Sequence, residues 1–210
     1  MTHLPRLPKL VAITDSAQVD AEAMLRGAAR LARLAAPGTF AVLLRDHQLA
    51  AGARLALGRE LRAITRSSAQ GLWVADRLDL ALTLGADGLH LGEGSVAAHE
   101  ARKLLPASTL VSRAWHQTVL PDATELEGVD VLVLSPVLAP RKGRPALGTE
   151  NLRAFTQLAG SRGVGVLALG GVTATTAATC SSAGAVGVAA IGAAWDPASE
   201  QVLEALGARR

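Results

Sequence analysis

Short polar clusters that each follow an apolar run carry most of the reactive side chains of this 210-residue chain. They are Arg45-Asp46-His47, Asp76-Arg77, His90 to Glu93, Arg113-Ala114-Trp115-His116 and Ser135-Pro136, with a basic stretch, Arg141 to Arg144, a little further on. His116 is the natural candidate for acid/base work, because imidazole exchanges a proton near neutral pH with little tuning. On the residues alone, an exposed loop histidine is the slightly favoured reading. His90 sits between Leu89 and Leu91 and reads as a satisfied interior histidine. Arg45 ends an apolar run, where a bare guanidinium is costly. Either an acidic partner such as Asp76 or the anionic part of a ligand would satisfy it.

Two further segments offer backbone rather than side-chain chemistry. Gly170-Gly171 and Ile191-Gly192 close the last two apolar runs. Glycine lets N–H groups approach phosphate oxygens without Cβ interference, and the start of a helix adds a favourable dipole. Val172-Thr173 supplies that start after Gly171. Lys142, in the basic stretch, is placed to close over the same anion. No metal-ligand constellation stands out. Magnesium favours carboxylates from neighbouring loops, and only Asp76 and Glu93 are obvious. Cys180 lies in a run of small residues and reads as a buried filler, not a nucleophile.

The apolar runs that position these clusters alternate with longer amphipathic ones. Strands are expected at 10–14, 40–45, 71–76, 88–92, 109–115, 129–137, 165–171 and 187–192. Most are continuously apolar, as parallel strands covered by helices are. Helices are expected at 19–35, 47–66, 79–85, 96–105, 149–162, 173–183 and 199–208, with a weaker candidate at 119–126 that Pro121 interrupts. A recurring pattern of glycine, short link and buried strand, as in Gly85 to Gly92, Gly128 to Ser135 and Gly184 to Ile191, feeds each helix directly into a strand. Eight such units favour a single (β/α)8 TIM barrel over residues 1–210, with an open doubly wound sheet as the alternative. In a barrel the strand ends and the loops after them form the ligand face, so the clusters above share one mouth.

Composition narrows the partners. Half the residues are hydrophobic and only 2% are aromatic, so a large core must be built from small aliphatic side chains. The net charge of +3 and the scarcity of aromatics argue against nucleic-acid binding. No long apolar stretch predicts a membrane span, and residues 1–10 lack the apolar run of a signal peptide. A single cysteine fits a cytoplasmic setting. A homo-oligomer is compatible with the sequence.

Over roughly residues 10 to 195 the chain resembles the thiamine phosphate synthase/TenI family. The resemblance rests on Ala12-Ile13-Thr14-Asp15, Leu80 to Gly92, Ser112 to His116, Ser135-Pro136-Val137, Leu169 to Thr173 and Ala183 to Ile191, taken in order. It implies a barrel and a place in thiamine biosynthesis, with a small phosphorylated thiazole as ligand. The family's synthase couples a pyrimidine pyrophosphate to a thiazole phosphate with magnesium. Its Gln-x-Arg-x-Lys motif reads Leu43-Leu44-Arg45-Asp46-His47 here, and its Asn-Asp-Asp reads Ala75-Asp76-Arg77. Its further acidic ligand falls at Ser95. The TenI branch, a thiazole tautomerase, needs no metal or other cofactor, and its acid/base histidine matches His116. The resemblance therefore implies a TenI-like tautomerase in which His116 carries the proton and Gly170, Gly171, Ile191 and Gly192 hold the phosphate. Arg45, Asp76 and Lys142 complete the substrate contacts. A synthase with relocated magnesium ligands and a non-catalytic thiazole or thiamine phosphate binder are the alternatives.

Overall fold

The structure is a computed structural model describing residues 7–141 and 143–210. Its eight strands are β1 (Leu10–Ile13), β2 (Phe40–Leu44), β3 (Gly71–Ala75), β4 (Gly88–Leu91), β5 (Leu110–Trp115), β6 (Val131–Leu134), β7 (Gly165–Leu169) and β8 (Gly187–Ala190). Each pairs in parallel with its sequence neighbour, and β8 returns to β1 through Leu10↔Val188 and Val11↔Ala189. The sheet is thus a closed (β/α)8 barrel. Closure removes the open-sheet alternative and, among the described residues, leaves no unpaired edge in the barrel sheet.

The helices are α1 (Ala21–Leu34), α2 (Ala51–Ser67), α3 (Leu78–Leu84), α4 (Ala98–Arg102), α5 (Gly148–Ser161), α6 (Ala174–Ser182), α7 (Gly192–Trp195) and α8 (Ser199–Ala205). Two N-termini have clear local causes. Asp20 accepts from the Ala23 amide ahead of α1. Thr173 and Thr176 bond reciprocally as a capping box ahead of α6.

Several expected boundaries need correction. The strands stop short of their polar last residues, so Thr14, Arg45, Asp76 and Gly92 lie in the loops. The sixth strand covers four residues instead of 129–137, because Pro136 has no N–H to continue a ladder. No helix forms at 119–126, where the described chain turns repeatedly around Pro121. The helix expected at 47–66 starts at Ala51, after Arg45 to Ala50 have formed the loop over the mouth. The four-residue α7 was not expected. It begins at Gly192, the last residue of the strand expected at 187–192.

Two layers of apolar side chains hold the fold. Outward-facing strand residues such as Val42, Leu72, Leu89 and Leu132 pack under the helices with Leu31, Leu61 and Phe155. Inward-facing Ile13, Leu43, Trp73, Val133, Leu167 and Ile191 fill the barrel. Trp73 is accommodated because β4 carries Gly88, where an added Cβ would lie 2.5 Å from the Trp73 ring. Cys180 is fully buried, and burial pushes its thiol up to about 11, so it is an inert filler.

Candidate functional site

Residues within two positions of a strand end converge at the C-terminal mouth. They are Asp15, Arg45, His116, Ser135 and Ile191. A cavity of about 380 Å³ opens there, lined by Arg45, Glu93, His116, Ser135, Gly170 and Ile191 among others. A shallower hollow of about 150 Å³ adjoins it, with Arg141, Gly170, Gly171, Gly192 and Ala193 in its wall. The two share Arg141, Leu169, Gly170 and Ile191. A larger cavity of about 580 Å³ lies at the opposite end, around Trp73 and the Arg62–Asp87 ion pair. That end of a barrel serves stability, and the reactive side chains are at the mouth.

His116 follows β5 and is fixed from β6. Its Nδ1 lies 2.9 Å from the Ser135 carbonyl oxygen and 2.8 Å from Ser135 Oγ. A carbonyl can only accept, so Nδ1 carries the hydrogen and Nε2 is the basic nitrogen. His90 points inside the barrel with Nδ1 2.9 Å from Ser112 Oγ, as an interior histidine should. Burial lowers its pKa to about 4, so its ring is neutral at pH 7.

Arg45 has a different partner from the one its sequence context offered. Its Nη2 donates to Asp15 Oδ2 at 2.6 Å, and Asp76 is not its counter-ion. Parallel pairing of β1 and β2 brings the residues after each strand side by side. The backbone N–H of Arg45 donates to Thr14 Oγ1 at 2.9 Å. Burial works against charge on Asp15, but hydrogen bonds from Gln18 and the nearby Arg45 cation outweigh it, leaving the carboxyl below its usual range. Sequence reasoning overlooked Asp15 as a site residue. The signal available was its place in Ala12 to Asp15, at the end of an apolar run.

Asp76 lies on the far rim, outside the residues that line either mouth cavity. Its Oδ1 accepts the Gly92 amide at 3.0 Å and the Ser95 hydroxyl, while Oδ2 lies 3.8 Å from His47 Nε2. Burial raises its pKa, yet these hydrogen bonds and the neighbouring imidazoles bring it below the ordinary value. Arg77 turns away to Asp79, with bonds of 2.8 and 2.5 Å. Glu93 pairs with Arg144 at 3.1 Å. Among the described residues, no group of three or more histidines, cysteines and carboxylates is spaced to hold a metal.

Gly170 and Gly171 have φ of 106° and 73°, a region that L side chains rarely enter. A Cβ at Gly171 would lie 3.0 Å from Ala139 Cβ, and one at Gly170 would lie 3.2 Å from Pro136 Cα. The two glycines thus let the β7 loop lie flat against the β6 loop. Gly192 opens α7 beside Gln18, whose Nε2 donates to Asp15 at 2.6 Å. Lys142 lies outside the described residues. Arg141 and Arg144, joined by a pair of 3.0 Å backbone bonds, are cationic wall residues that sequence reasoning treated only as a basic stretch.

The comparisons agree with this architecture. Residues 10–194 match the family model described as thiamine monophosphate synthase. A thiamine-phosphate synthase of Methanoregula boonei is 35% identical over 172 residues, 80% of this chain and 78% of that one. A putative thiamine-phosphate synthase of Geobacter sulfurreducens is 36% identical over 191 residues, 88% of this chain and 85% of that one. The solved thiamine phosphate pyrophosphorylase from Pyrococcus furiosus superposes with a TM-score of 0.78 at 27% identity, covering 98% and 96% of the two chains. In described helices, no segment is long and apolar enough to cross a membrane. The chain belongs to the thiamine monophosphate synthase family.

Proposed function

We propose that the chain acts on a thiazole phosphate of thiamine biosynthesis, and that the reaction its mouth serves best is a proton transfer by His116. The phosphate sits in the hollow formed by Gly170, Gly171, Ile191 and Gly192, where backbone N–H groups and the cation of Arg141 meet it. The ring then lies in the adjoining cavity, against His116. Nε2 removes a proton from a ring carbon, and the imidazolium returns one to the conjugated position, so the atoms are rearranged and none is lost. Ser135 accepts from Nδ1–H and stabilises the charged intermediate state of the imidazole. Arg45, oriented by Asp15, meets a carboxylate on the ring. The observation that carries this reading is the pairing of His116 with the Ser135 carbonyl in the cavity that adjoins the smaller hollow, the two sharing Arg141, Leu169, Gly170 and Ile191.

Thiamine phosphate synthase is a second reading with at least equal support, from a different source. The relatives at about 35% identity bear that name. Against it stands the donor set: a synthase needs groups that neutralise the leaving pyrophosphate, and Asp76, Arg77, Ser95 and Glu93 are otherwise engaged. One experiment separates the two. The protein is incubated with thiazole phosphate and pyrimidine pyrophosphate plus magnesium, and in parallel with the carboxythiazole phosphate tautomer alone. Consumption of the tautomer that His116→Ala abolishes supports the first reading. Thiamine phosphate formed at an enzyme-like rate replaces it with the second. Binding without either reaction makes the protein a thiazole phosphate binder.

A further inference from the structure

We propose that Arg54 is a positioning residue that clamps the turn carrying Asp76, and that through Asp76 it sets the far rim of the mouth. This rests on the reading of the mouth as the ligand site.

Three costly features coincide at this point. Arg54 is only 4% exposed, and its buried Nε has no hydrogen-bond partner. It forms no ion pair with a carboxylate among the described residues; instead Nη2 donates to two carbonyls, Leu44 at 3.2 Å and Ala75 at 2.6 Å. Burying a guanidinium without a direct ion pair is costly, and Asp46, Asp76 and Asp79 act on it only through space. It also sits in the first turn of α2, where the helix dipole disfavours a cation. The third cost is in the backbone it touches. Asp76 has a φ of 59°, and the Arg77 amide donates to the Ala75 carbonyl at 2.7 Å, closing a three-residue turn around Asp76. Turns of that hand are rare and strained.

The clamp explains why these costs occur together. Leu44 and Ala75 are the last residues of β2 and β3, so one guanidinium joins the two strand ends immediately before Arg45 and Asp76. With Ala75 O held from α2, the tight turn projects Asp76 toward β4. There its N–H donates to the His90 carbonyl at 2.8 Å, and its carboxylate receives the Gly92 amide and the Ser95 hydroxyl. A stability role alone would be served at least as well by an apolar side chain, since replacing a buried charge with a well-packed hydrophobe is often neutral or favourable.

The test uses Arg54→Met and Arg54→Lys in the full chain. Native-state hydrogen exchange is read at the Gly92 amide, which Asp76 accepts, against the Leu167 amide in distant β7. In R54M the Gly92/Leu167 ratio of exchange rates should rise about tenfold or more, as local opening does when its own contact is lost. A ratio that stays at the wild-type value overturns the clamp, whatever happens to overall stability. If R54M does not fold, R54K decides on the same ratio. Lysine keeps the charge but cannot span both carbonyls, so a rise of about threefold is expected and no rise overturns the proposal. A double-mutant cycle supplies a second arm. In an Asp76→Ala background, which removes the acceptor of the Gly92 amide, R54M should raise the Gly92/Leu167 exchange ratio no further. Additive effects would show that Arg54 does not act through Asp76. Should the wild type neither bind nor convert thiazole phosphate, the proposed function falls, and the exchange ratio still decides the clamp.

Discussion

At the residue scale, His116 at the mouth and His90 inside the barrel do opposite things because their neighbours differ. His116 has a backbone carbonyl fixing its tautomer, which leaves Nε2 basic. Its replacement by alanine should cost about 10² to 10⁴ in proton-transfer rate, read from single-turnover kinetics on the tautomer. Ser135→Ala leaves that carbonyl in place and should cost far less, so similar losses in both variants would remove the hydrogen-bond account of the tautomer. His90 is held neutral by burial, with a pKa near 4. Its unfolded value is higher, near 6.5, so between these limits the unfolded chain binds the extra proton. Stability attributable to neutral His90 is therefore complete above about pH 6.5 and is lost as pH falls toward 4. Urea unfolding at pH 7 and pH 5 checks this. His90→Gln should reduce the drop between the two pH values, and an unchanged drop would assign it to the carboxylates instead.

At the element scale, the glycine pair after β7 and the capping box after it form one unit. The β7 loop packs against the β6 loop only because positions 170 and 171 lack a Cβ, and Thr176 then ties back to the Gly171 carbonyl at 2.8 Å. Gly171→Ala meets both a positive φ and a close Ala139 Cβ, whereas Gly143→Ala meets a positive φ of 74° in open space. The first should cost more than the second, for which about 1 kcal/mol is expected, and only the first should weaken phosphate binding. Thermal melts with a phosphate titration separate them. This unit was legible in the sequence because glycine pairs, threonine caps and strand order are local signals. The Arg45–Asp15 pair was not, since it joins residues 30 apart through the register of two strands. Arg54 was hidden for the same reason: on sequence it is one more arginine in an amphipathic helix. The missing helix at 119–126 and the added α7 were lost to packing, which overrides weak local propensity.

At the scale of the whole molecule, closure of the sheet gathers into one mouth residues as far apart as Asp15 and Gly192. The alternation of buried strands and helices announced the barrel, because eight repeats of one local pattern leave few other ways to cover both faces of every strand. A ligand that spans the mouth touches loops from both ends of the chain and so should stabilise the fold as a unit. At a hundredfold excess over its dissociation constant, a thiazole phosphate adds about 2.7 kcal/mol, which for a chain of this length corresponds to a Tm rise of about 5 to 10 °C. On the proton-transfer reading that rise is unaffected by EDTA, and pyrophosphate with magnesium adds nothing further. A synthase behaves differently, because its second subsite binds pyrophosphate with the metal and shows an additional magnesium-dependent rise. The melt therefore tests which half of the mouth is built for an anion before any turnover is measured. A magnesium-dependent gain of several degrees would show a metal-dependent pyrophosphate subsite and replace the proton-transfer reading with the synthase one.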